Sequence, residues 1–233
     1  METILDRLRR LRSPIVYDAI ERFAVRPRQD GYTDSSVKCI LPSLGAFVGY
    51  AVTGRIMAEL PHEPGGAHIG WEDVWTYVER QKKPSIMVCQ DMDQPPARGC
   101  AWGDVSASIF RRLGCNAVVT NGGVRDIRQV EEVGFGLFAN GPVVGHANIH
   151  FIEIGGPVKV GGLVVHPGDL VHADEHGAVV IPAGIDLDAL VRVADQFMDS
   201  ERSVIDYARS SQTFSIAELR QRMDRHDAAE YRR

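Results

Sequence analysis

The regular alternation of strand-like and helix-like segments between residues 85 and 139 constrains the fold more than any other feature. An apolar run at Ser85–Asp91 is followed by a loop and by a helical pattern from Asp104 to Leu113. A second apolar run, from Asn116 to Thr120, leads through a tight turn to a helix at Ile127–Val133 and a strand at 136–139. Strands that alternate with helices of this length are typical of βαβ units, so we predict an α/β fold with a parallel sheet.

The flanking segments predict further elements around this centre. Helical spacing of apolar residues predicts N-terminal helices within residues 1–25. Short Val-rich runs separated by Gly, Pro and Asp predict compact β structure from 143 to 182. An apolar stripe from Leu187 to Met198 begins a predicted C-terminal helical tail at 185–233. No linker separates these parts, so we interpret residues 1–233 as a single domain with its core at about 45–182 and peripheral helices.

Composition excludes several classes of function. The net charge is −5 and the 26 Lys and Arg residues are scattered, which argues against a nucleic-acid partner. The N-terminal METILDRLRR has no apolar segment of a signal peptide, and no run of about 18 apolar residues predicts a membrane span. The four cysteines lie far apart without a C-x-x-C pair, which is typical of structural thiols in a reducing compartment. We therefore expect a cytoplasmic protein with no membrane partner.

Two loops of the alternating segment carry the residues that suggest chemistry. The long loop DMDQPPARGCAWGD delivers the chain to a helix start at Asp104, and the short loop NGGVRD carries Arg125 and Asp126. Both loops follow parallel strands, where open α/β sheets bind ligands. Arg125 can grip an anionic carboxylate, and Asp126 with Asp104 can offer the hard oxygen ligands that Mg²⁺ or Mn²⁺ prefers. A 2-oxo acid could chelate such an ion, which would stabilise the enolate left when a C–C bond breaks.

The same three residues also have a purely structural interpretation, which their spacing leaves open. Asp104 can serve as a helix N-cap, because aspartate is a favoured capping residue. Arg125 and Asp126 can be a turn residue and a second cap joined in an ion pair.

The text around these residues resembles the RraA-like superfamily, which contains the 4-hydroxy-4-methyl-2-oxoglutarate and 4-carboxy-4-hydroxy-2-oxoadipate aldolases. The motifs that carry the resemblance are WGD, AVVTNGGVRD, GF-x-x-FA-x-G and GG-x-x-VHPGDLVHADEHGAVVIP, with a weaker likeness at GYAVTGRI. The aldolases have an aspartate, twenty intervening residues and an Arg-Asp pair. Asp104 and Arg125-Asp126 reproduce this spacing, since residues 105 to 124 number twenty.

The resemblance implies a swivelling β/β/α fold that assembles as a homotrimer or a dimer of trimers, with active sites between subunits. It implies that Asp126 holds the metal, that Asp104 orders a metal-bound water and that Arg125 binds and polarises the substrate. The backbone amides at Ala101, Trp102 and Gly103 would receive the pyruvyl carboxylate. Members of the superfamily also decarboxylate oxaloacetate, so this activity is expected as well.

Some segments depart from the aldolase pattern. The aldolases use a glutamate from the C-terminal region of a neighbouring subunit. Glu201 is the best candidate for it, but a glutamate on a helix surface is usually only solvated. The segment HANIHFIEIGG differs from the aldolase version, which leaves the exact substrate open. Within it, His146 and His150 are candidates to line the substrate pocket. Trp71 and Trp75 have helical spacing and are interpreted as core or a subunit contact.

Two other functions compete with a lyase. Some RraA proteins are non-catalytic regulators that bind a ribonuclease or another protein partner, and the resemblance implies that such regulators tend to lack the aspartate of the Arg-Asp pair, which this chain keeps. An isomerase or hydrolase of a related oxo or hydroxy acid could reuse the same metal site. The methyltransferase activity once assigned to such sequences has no support, since no Gly-rich strand-turn-helix near the N-terminus fits a nucleotide-like cofactor.

Overall fold

The computed structural model describes residues 2–62, 69–210 and 213–231. It contains seven α-helices in this part of the chain: α1 (Ile4–Leu8), α2 (Ser13–Glu21), α3 (Trp71–Glu79), α4 (Asp104–Arg112), α5 (Ile127–Val133), α6 (Leu187–Arg209) and α7 (Ile216–Tyr231). A short 3₁₀ helix lies at Pro42–Leu44. The strands are β1 (Lys38–Cys39), β2 (Phe47–Met57), β3 (Ser85–Asp91), β4 (Cys115–Thr120), β5 (Gly123–Val124), β6 (Gly136–Ala139), β7 (Gly141–Pro142), β8 (His150–Ile154), β9 (Val158–Val160), β10 (Leu163–Val165), β11 (Leu170–Asp174) and β12 (Gly177–Ile181).

The main sheet has eight strands, of which seven follow the order β1-β6-β4-β3-β2-β11-β12, while β8 pairs with β2. The pairs β2/β3, β3/β4 and β4/β6 are parallel, and the outer pairs are antiparallel. The predicted βαβ units and parallel sheet are therefore confirmed. The strand predicted from Asn116 begins one residue earlier, and the C-terminal helix α6 continues to Arg209, well past the predicted apolar stripe.

Alternating side chains of the central strands build two separate cores. On β3, Met87 and Cys89 belong to a cluster with residues of α3, α4 and α5, whereas Ile86 and Val88 belong to a cluster with residues of β9 and β10. This follows from the two-residue period of a strand, which sends successive side chains to opposite faces. The layers are thus a β-hairpin, the main sheet and a set of helices, so the expected β/β/α fold is confirmed.

The contact pattern divides the chain into two compact units. Residues 29–183 form a sheet unit, and residues 1–28 with 184–233 form a helical unit built by α1, α2, α6 and α7. In the helical unit, buried Ile15 and Ile20 of α2 and Leu190 and Phe197 of α6 supply apolar faces. None of the helices among the described residues combines the length and apolar character that a membrane crossing needs. The predicted peripheral helices at both ends are thus present.

Candidate active site

A cavity of about 360 Å³ lies in the sheet unit, where helices α4 and α5 begin. Asp104, Arg125 and Asp126 all line it, together with Ala101 and Gly103. Its size is that of a pocket for a small molecule. The loop that ends at Asp104 and the loop that carries Arg125 and Asp126 therefore meet at one site. This is expected, because the carboxyl ends of adjacent parallel strands lie at the same edge of the sheet.

Asp126 has a backbone conformation that is costly for most residues. It is the residue before α5 and adopts the left-handed region at φ 54° and ψ 41°. Asparagine and aspartate tolerate this region better than other residues with a side chain. At this N-cap position its side chain makes no capping hydrogen bond. Backbone strain of this kind persists where the surroundings hold it, and it concentrates at functional sites.

The carboxylate of Asp126 is instead directed at Arg125. Its Oδ2 lies 3.1 Å from Arg125 Nε, and both side chains are about 30% exposed, at 29% and 31%. The structural interpretation is correct that the two residues form an ion pair, but wrong that Asp126 caps α5. The pair uses only Nε of the guanidinium, and the two terminal nitrogens make no hydrogen bond or ion pair with the described residues. Its two terminal nitrogens can therefore bind an anion.

Gly103 is in close contact with this ion pair. A Cβ atom at position 103 would lie 2.4 Å from Asp126 Oδ2 and 3.2 Å from Arg125 Cγ. The glycine is not required by its own backbone, whose φ of −140° suits any residue. It is the absence of a side chain that makes room for the Asp126 carboxylate.

Asp104 is the first residue of α4, and Gly103 is its N-cap. The carboxylate of Asp104 accepts a hydrogen bond of 2.7 Å from Val105 N, so it partly serves the helix start while it lines the cavity. The Gly103 amide, one of the three expected to bind the substrate carboxylate, already donates a hydrogen bond of 3.0 Å to Ser106 Oγ. The positive end of the helix dipole remains directed at this position.

The side chain of Trp102 lies in the core and not in the cavity. It is 1% exposed and packs edge-on against Phe110. Its backbone carbonyl accepts from Arg125 N at 2.9 Å, which ties the two loops together. Trp102 thus contributes to the site through its backbone.

Asp91, at the end of β3, was not singled out from the sequence and holds the first loop in shape. Its carboxylate is buried and accepts hydrogen bonds from Asp93 N at 3.0 Å and Ala97 N at 2.7 Å. Burial raises the pKa of Asp91, and the two backbone donors oppose this shift. The sequence shows an acidic residue at the end of a parallel strand. It does not show which amides bind it, because Asp93 and Ala97 lie in a loop that has no periodic pattern.

His146, one of the two histidine candidates, lines the cavity. Its Nδ1 lies 2.9 Å from the carbonyl oxygen of Cys100. Since a carbonyl only accepts, Nδ1 carries the proton, and Nε2 of the neutral ring has a free lone pair. A Cβ at Gly99 would lie 2.2 Å from the His146 carbonyl, so the two loops are in close contact. His150, bonded through Nδ1 to Asn148 O, is not among the cavity residues.

Glu201 lies in the helical unit on α6 and is not among the described residues that line the cavity. Its carboxylate is 3.7 Å from Arg12 Nη2. Within this chain it is therefore a surface ion-pair partner, and its contribution to a neighbouring subunit stays a prediction.

All four cysteines are free thiols, and the burial of three of them is typical of a structural role. Cys89, Cys100 and Cys115 are buried, and no cysteine forms a disulfide. Burial raises the pKa of Cys115 to about 11, which keeps this thiol protonated at neutral pH. Burial also raises the pKa of Cys100, although Arg125 nearby opposes the shift.

Comparisons with known proteins show the family and the fold of the chain. A sequence model of the RraA-like family, described as Aldolase/RraA, matches residues 13–180. The chain is 31% identical over 100 residues to a Halalkalibacterium halodurans protein named "Putative 4-hydroxy-4-methyl-2-oxoglutarate aldolase", covering 42% of this chain and 48% of that protein. It is 26% identical over 125 residues to protein DlpA of Legionella pneumophila, covering 53% of this chain and 20% of DlpA. The matched segment is thus less than two thirds of either relative.

Solved structures share the fold. An uncharacterized protein from Pseudomonas syringae pv. tomato superposes with a TM-score of 0.73 at 23% identity, covering 95% of this chain and 93% of that one. RraAS2 of Streptomyces coelicolor, described as an unusual member of the RNase ES inhibitor RraA protein family, has a TM-score of 0.66 at 26% identity. That alignment covers 86% of this chain and 94% of RraAS2.

Proposed function

The chain belongs to the RraA-like family, and we propose that it is a divalent-metal-dependent lyase that releases pyruvate, or a related 2-oxo acid, from a 4-hydroxy-2-oxo acid. One observation carries the proposal: Asp104, Arg125 and Asp126 line one cavity, and Asp126 holds its carboxylate there from a left-handed backbone without capping α5. The same site would decarboxylate oxaloacetate. The proposed enzyme acts in the cytoplasm as a homotrimer or a dimer of trimers.

The donor set of the cavity fits Mg²⁺ or Mn²⁺. Two carboxylates, Asp126 and Asp104, are its acidic residues in the described chain, and Mg²⁺ typically uses one or two carboxylates and keeps several waters. We propose that Asp126 binds the ion and that Asp104 contacts it through water. The ion, when bound, supplies a Lewis acid for the 2-oxo group.

Arg125 orients the substrate. Its Nε is held by Asp126, so the guanidinium presents its terminal nitrogens to the substrate carboxylate. The start of α4, beside Ala101 and Gly103, adds the positive end of a helix dipole to the same position. These contacts would hold the 2-oxo acid head at the starts of α4 and α5.

His146 is the proposed base for aldol cleavage. The proton of the 4-hydroxyl passes to His146 Nε2, the C3–C4 bond breaks, and C4 becomes a carbonyl. The electron pair of the broken bond forms the enolate of the 2-oxo acid, which then takes a proton at C3. Decarboxylation of oxaloacetate yields the same enolate by loss of CO₂ and involves no hydroxyl proton. The two reactions therefore differ in their need for His146.

Replacing His146 with asparagine separates the two reactions. The asparagine side chain keeps an N–H donor for the Cys100 carbonyl near the former Nδ1 position but has no atom in place of Nε2. We expect kcat for cleavage of 4-hydroxy-4-methyl-2-oxoglutarate to fall about 100-fold, the ordinary effect of losing a general base. Decarboxylation of oxaloacetate should change by less than about threefold, because no hydroxyl proton is removed in it.

His150→Asn is the matched control, since His150 makes the same Nδ1 contact with a carbonyl outside the cavity. Equal losses of both activities in His146→Asn would indicate a structural histidine and exclude the assigned base.

Pyruvate release tests the proposed function itself. Purified protein is assayed with oxaloacetate and with 4-hydroxy-4-methyl-2-oxoglutarate, in Mg²⁺ and in EDTA, by coupling to lactate dehydrogenase. We expect turnover that EDTA abolishes and that added Mg²⁺ or Mn²⁺ restores. Absence of turnover together with absence of divalent-metal binding at millimolar concentration would remove the lyase from consideration.

A second candidate function is that of a regulator that binds a protein partner such as a ribonuclease. It is favoured by the likeness to RraAS2, which extends over most of both chains. Copurification with a ribonuclease and inhibition of its activity, without metal-dependent turnover, would support this candidate. The Arg125–Asp126 ion pair, which a purely regulatory surface does not need, supports the lyase instead.

A further inference from the structure

One wall of the cavity is aromatic. Trp71 and Trp75, on the first turns of α3, both line it. Their rings stack with centroids 6.4 Å apart and an interplanar angle of 28°. Trp71 also packs edge-on against Phe151, at a centroid distance of 5.2 Å. The sequence interpretation of these residues as core or subunit contact is therefore incomplete, because they form a fixed surface of the candidate active site.

A second apolar surface comes from α4. Val105 and Ile109 lie four residues apart, on one face of this helix, and both line the cavity. Val105 is 68% exposed, so its side chain is available to a ligand in the cavity. Two helices thus present apolar side chains to one cavity, whose charged groups are gathered at the starts of α4 and α5.

The charges of the cavity limit the anions that it can bind. Among the described residues that line it, Arg125 is the one permanent cation, and it is already paired with Asp126. Asp104 adds a second negative charge. The substrate's 2-oxo acid head would bind Arg125 and the proposed metal ion, whereas a second carboxylate further along the substrate would lie against the apolar walls, away from both cations. Burying a charge without a partner is strongly unfavourable.

From these features we infer that the substrate of the site is a 2-oxo acid with a single carboxylate and an apolar, aromatic body beyond C4, which packs on Trp71 and Trp75. The inference rests on the proposed function for the 2-oxo acid head of the substrate, and it adds the chemical class of the part beyond C4. Cleavage would then release pyruvate and an aromatic aldehyde. Substrates with a second carboxylate beyond C4, including the methyl-oxoglutarate type, would still be cleaved but with a higher KM.

Two ligands that share the 2-oxo acid head and differ in their tail test this inference by binding alone. 2-Oxo-4-phenylbutanoate ends in a phenyl ring where 2-oxoglutarate ends in a carboxylate, and neither has a 4-hydroxyl to cleave. Isothermal titration calorimetry in Mg²⁺ should give a dissociation constant at least about tenfold lower for the phenyl ligand, as expected for burying an aromatic ring. Equal affinities, tighter binding of 2-oxoglutarate, or no binding of either ligand would overturn the inference.

Trp75→Leu should remove the preference without removing the head contacts. We expect it to weaken 2-oxo-4-phenylbutanoate about tenfold and 2-oxoglutarate less than about twofold. Tyr77→Leu is the matched control, because Tyr77 lies on the same helix, beside Gly155, and is not among the residues that line the cavity. If a second copy of the chain covers the aromatic wall, Trp75→Leu changes the sedimentation coefficient and leaves the ligand preference intact, which overturns the inference.

Failure of this inference is distinguishable from failure of the proposed function. Metal-dependent turnover of oxaloacetate without a preference for the phenyl ligand would retain the lyase and overturn the aromatic substrate class. A phenyl preference that depends on Trp75, without turnover of oxaloacetate, would support the aromatic subsite and count against the lyase.

Discussion

Replacing Asp126 with asparagine is expected to lower metal-dependent pyruvate release from oxaloacetate by about 100- to 1,000-fold, since a bound ion typically contributes several kcal/mol to such a transition state. Asparagine removes the negative charge that would hold the ion and that now pairs with Arg125 Nε. It also tolerates the left-handed backbone at φ 54°, where alanine would add about 1–2 kcal/mol of strain. The loss of activity should therefore occur without a loss of fold.

The measurement combines steady-state kinetics over a range of Mg²⁺ concentrations with thermal unfolding. Asp195→Asn is the control, because Asp195 is an exposed aspartate of the helical unit, remote in the sequence from the cavity loops. We expect its kinetics to equal those of the wild type. Wild-type turnover in Asp126→Asn at saturating Mg²⁺ would contradict the role assigned to Asp126.

Gly103→Ala is expected to lower kcat/KM by about 100-fold, the effect of a misplacement of about 1 Å in an active site. The new Cβ would lie 2.4 Å from Asp126 Oδ2, so the carboxylate and Arg125 must shift. Because φ at position 103 is −140°, the alanine adds no backbone strain, and the melting temperature should change little. The effect would thus come from the ion pair and not from the helix start.

Gly141→Ala is the matched control, since a Cβ at position 141 meets no atom within 4 Å. The double variant Gly103→Ala/Asp126→Asn gives a sharper test, because the two changes act on the same group and their effects should not add. Full additivity of the two losses, or an unaltered kcat/KM in Gly103→Ala, would show that the close contact does not position Asp126.

The fold was largely predictable because the buried strands and amphipathic helices have clear periods. The boundaries of β3, α5 and β6 follow directly from the apolar runs. That Asp104, Arg125 and Asp126 would lie close together was also predictable, since topology alone brings the carboxyl ends of adjacent parallel strands together. Layer order could be expected only from the family resemblance, because the contacts of the β9–β10 hairpin are not encoded in local periodicity.

The remaining features of the site depend on contacts between segments distant in the sequence. The left-handed residue of the NGGVRD loop is Asp126 and not one of its glycines, and Gly123 makes room for Val143. Trp71 and Trp75 have the helical spacing of core residues, and spacing does not distinguish a core from a cavity wall. The sequence did not distinguish His146 from His150. The contact of His146 with the Cys100 carbonyl, which places it at the cavity, is visible only in the structure.

The most direct test of the central claim is a crystal structure of the protein with Mn²⁺ and oxalate, a stable mimic of the pyruvate enolate. The account predicts an anomalous Mn²⁺ peak beside Asp126, with one oxalate carboxylate in contact with Arg125. A peak confined to the group of Asp174, Glu175 and His176, whose ligand atoms lie within 4.8 Å of one another, or no peak at the cavity, would contradict it.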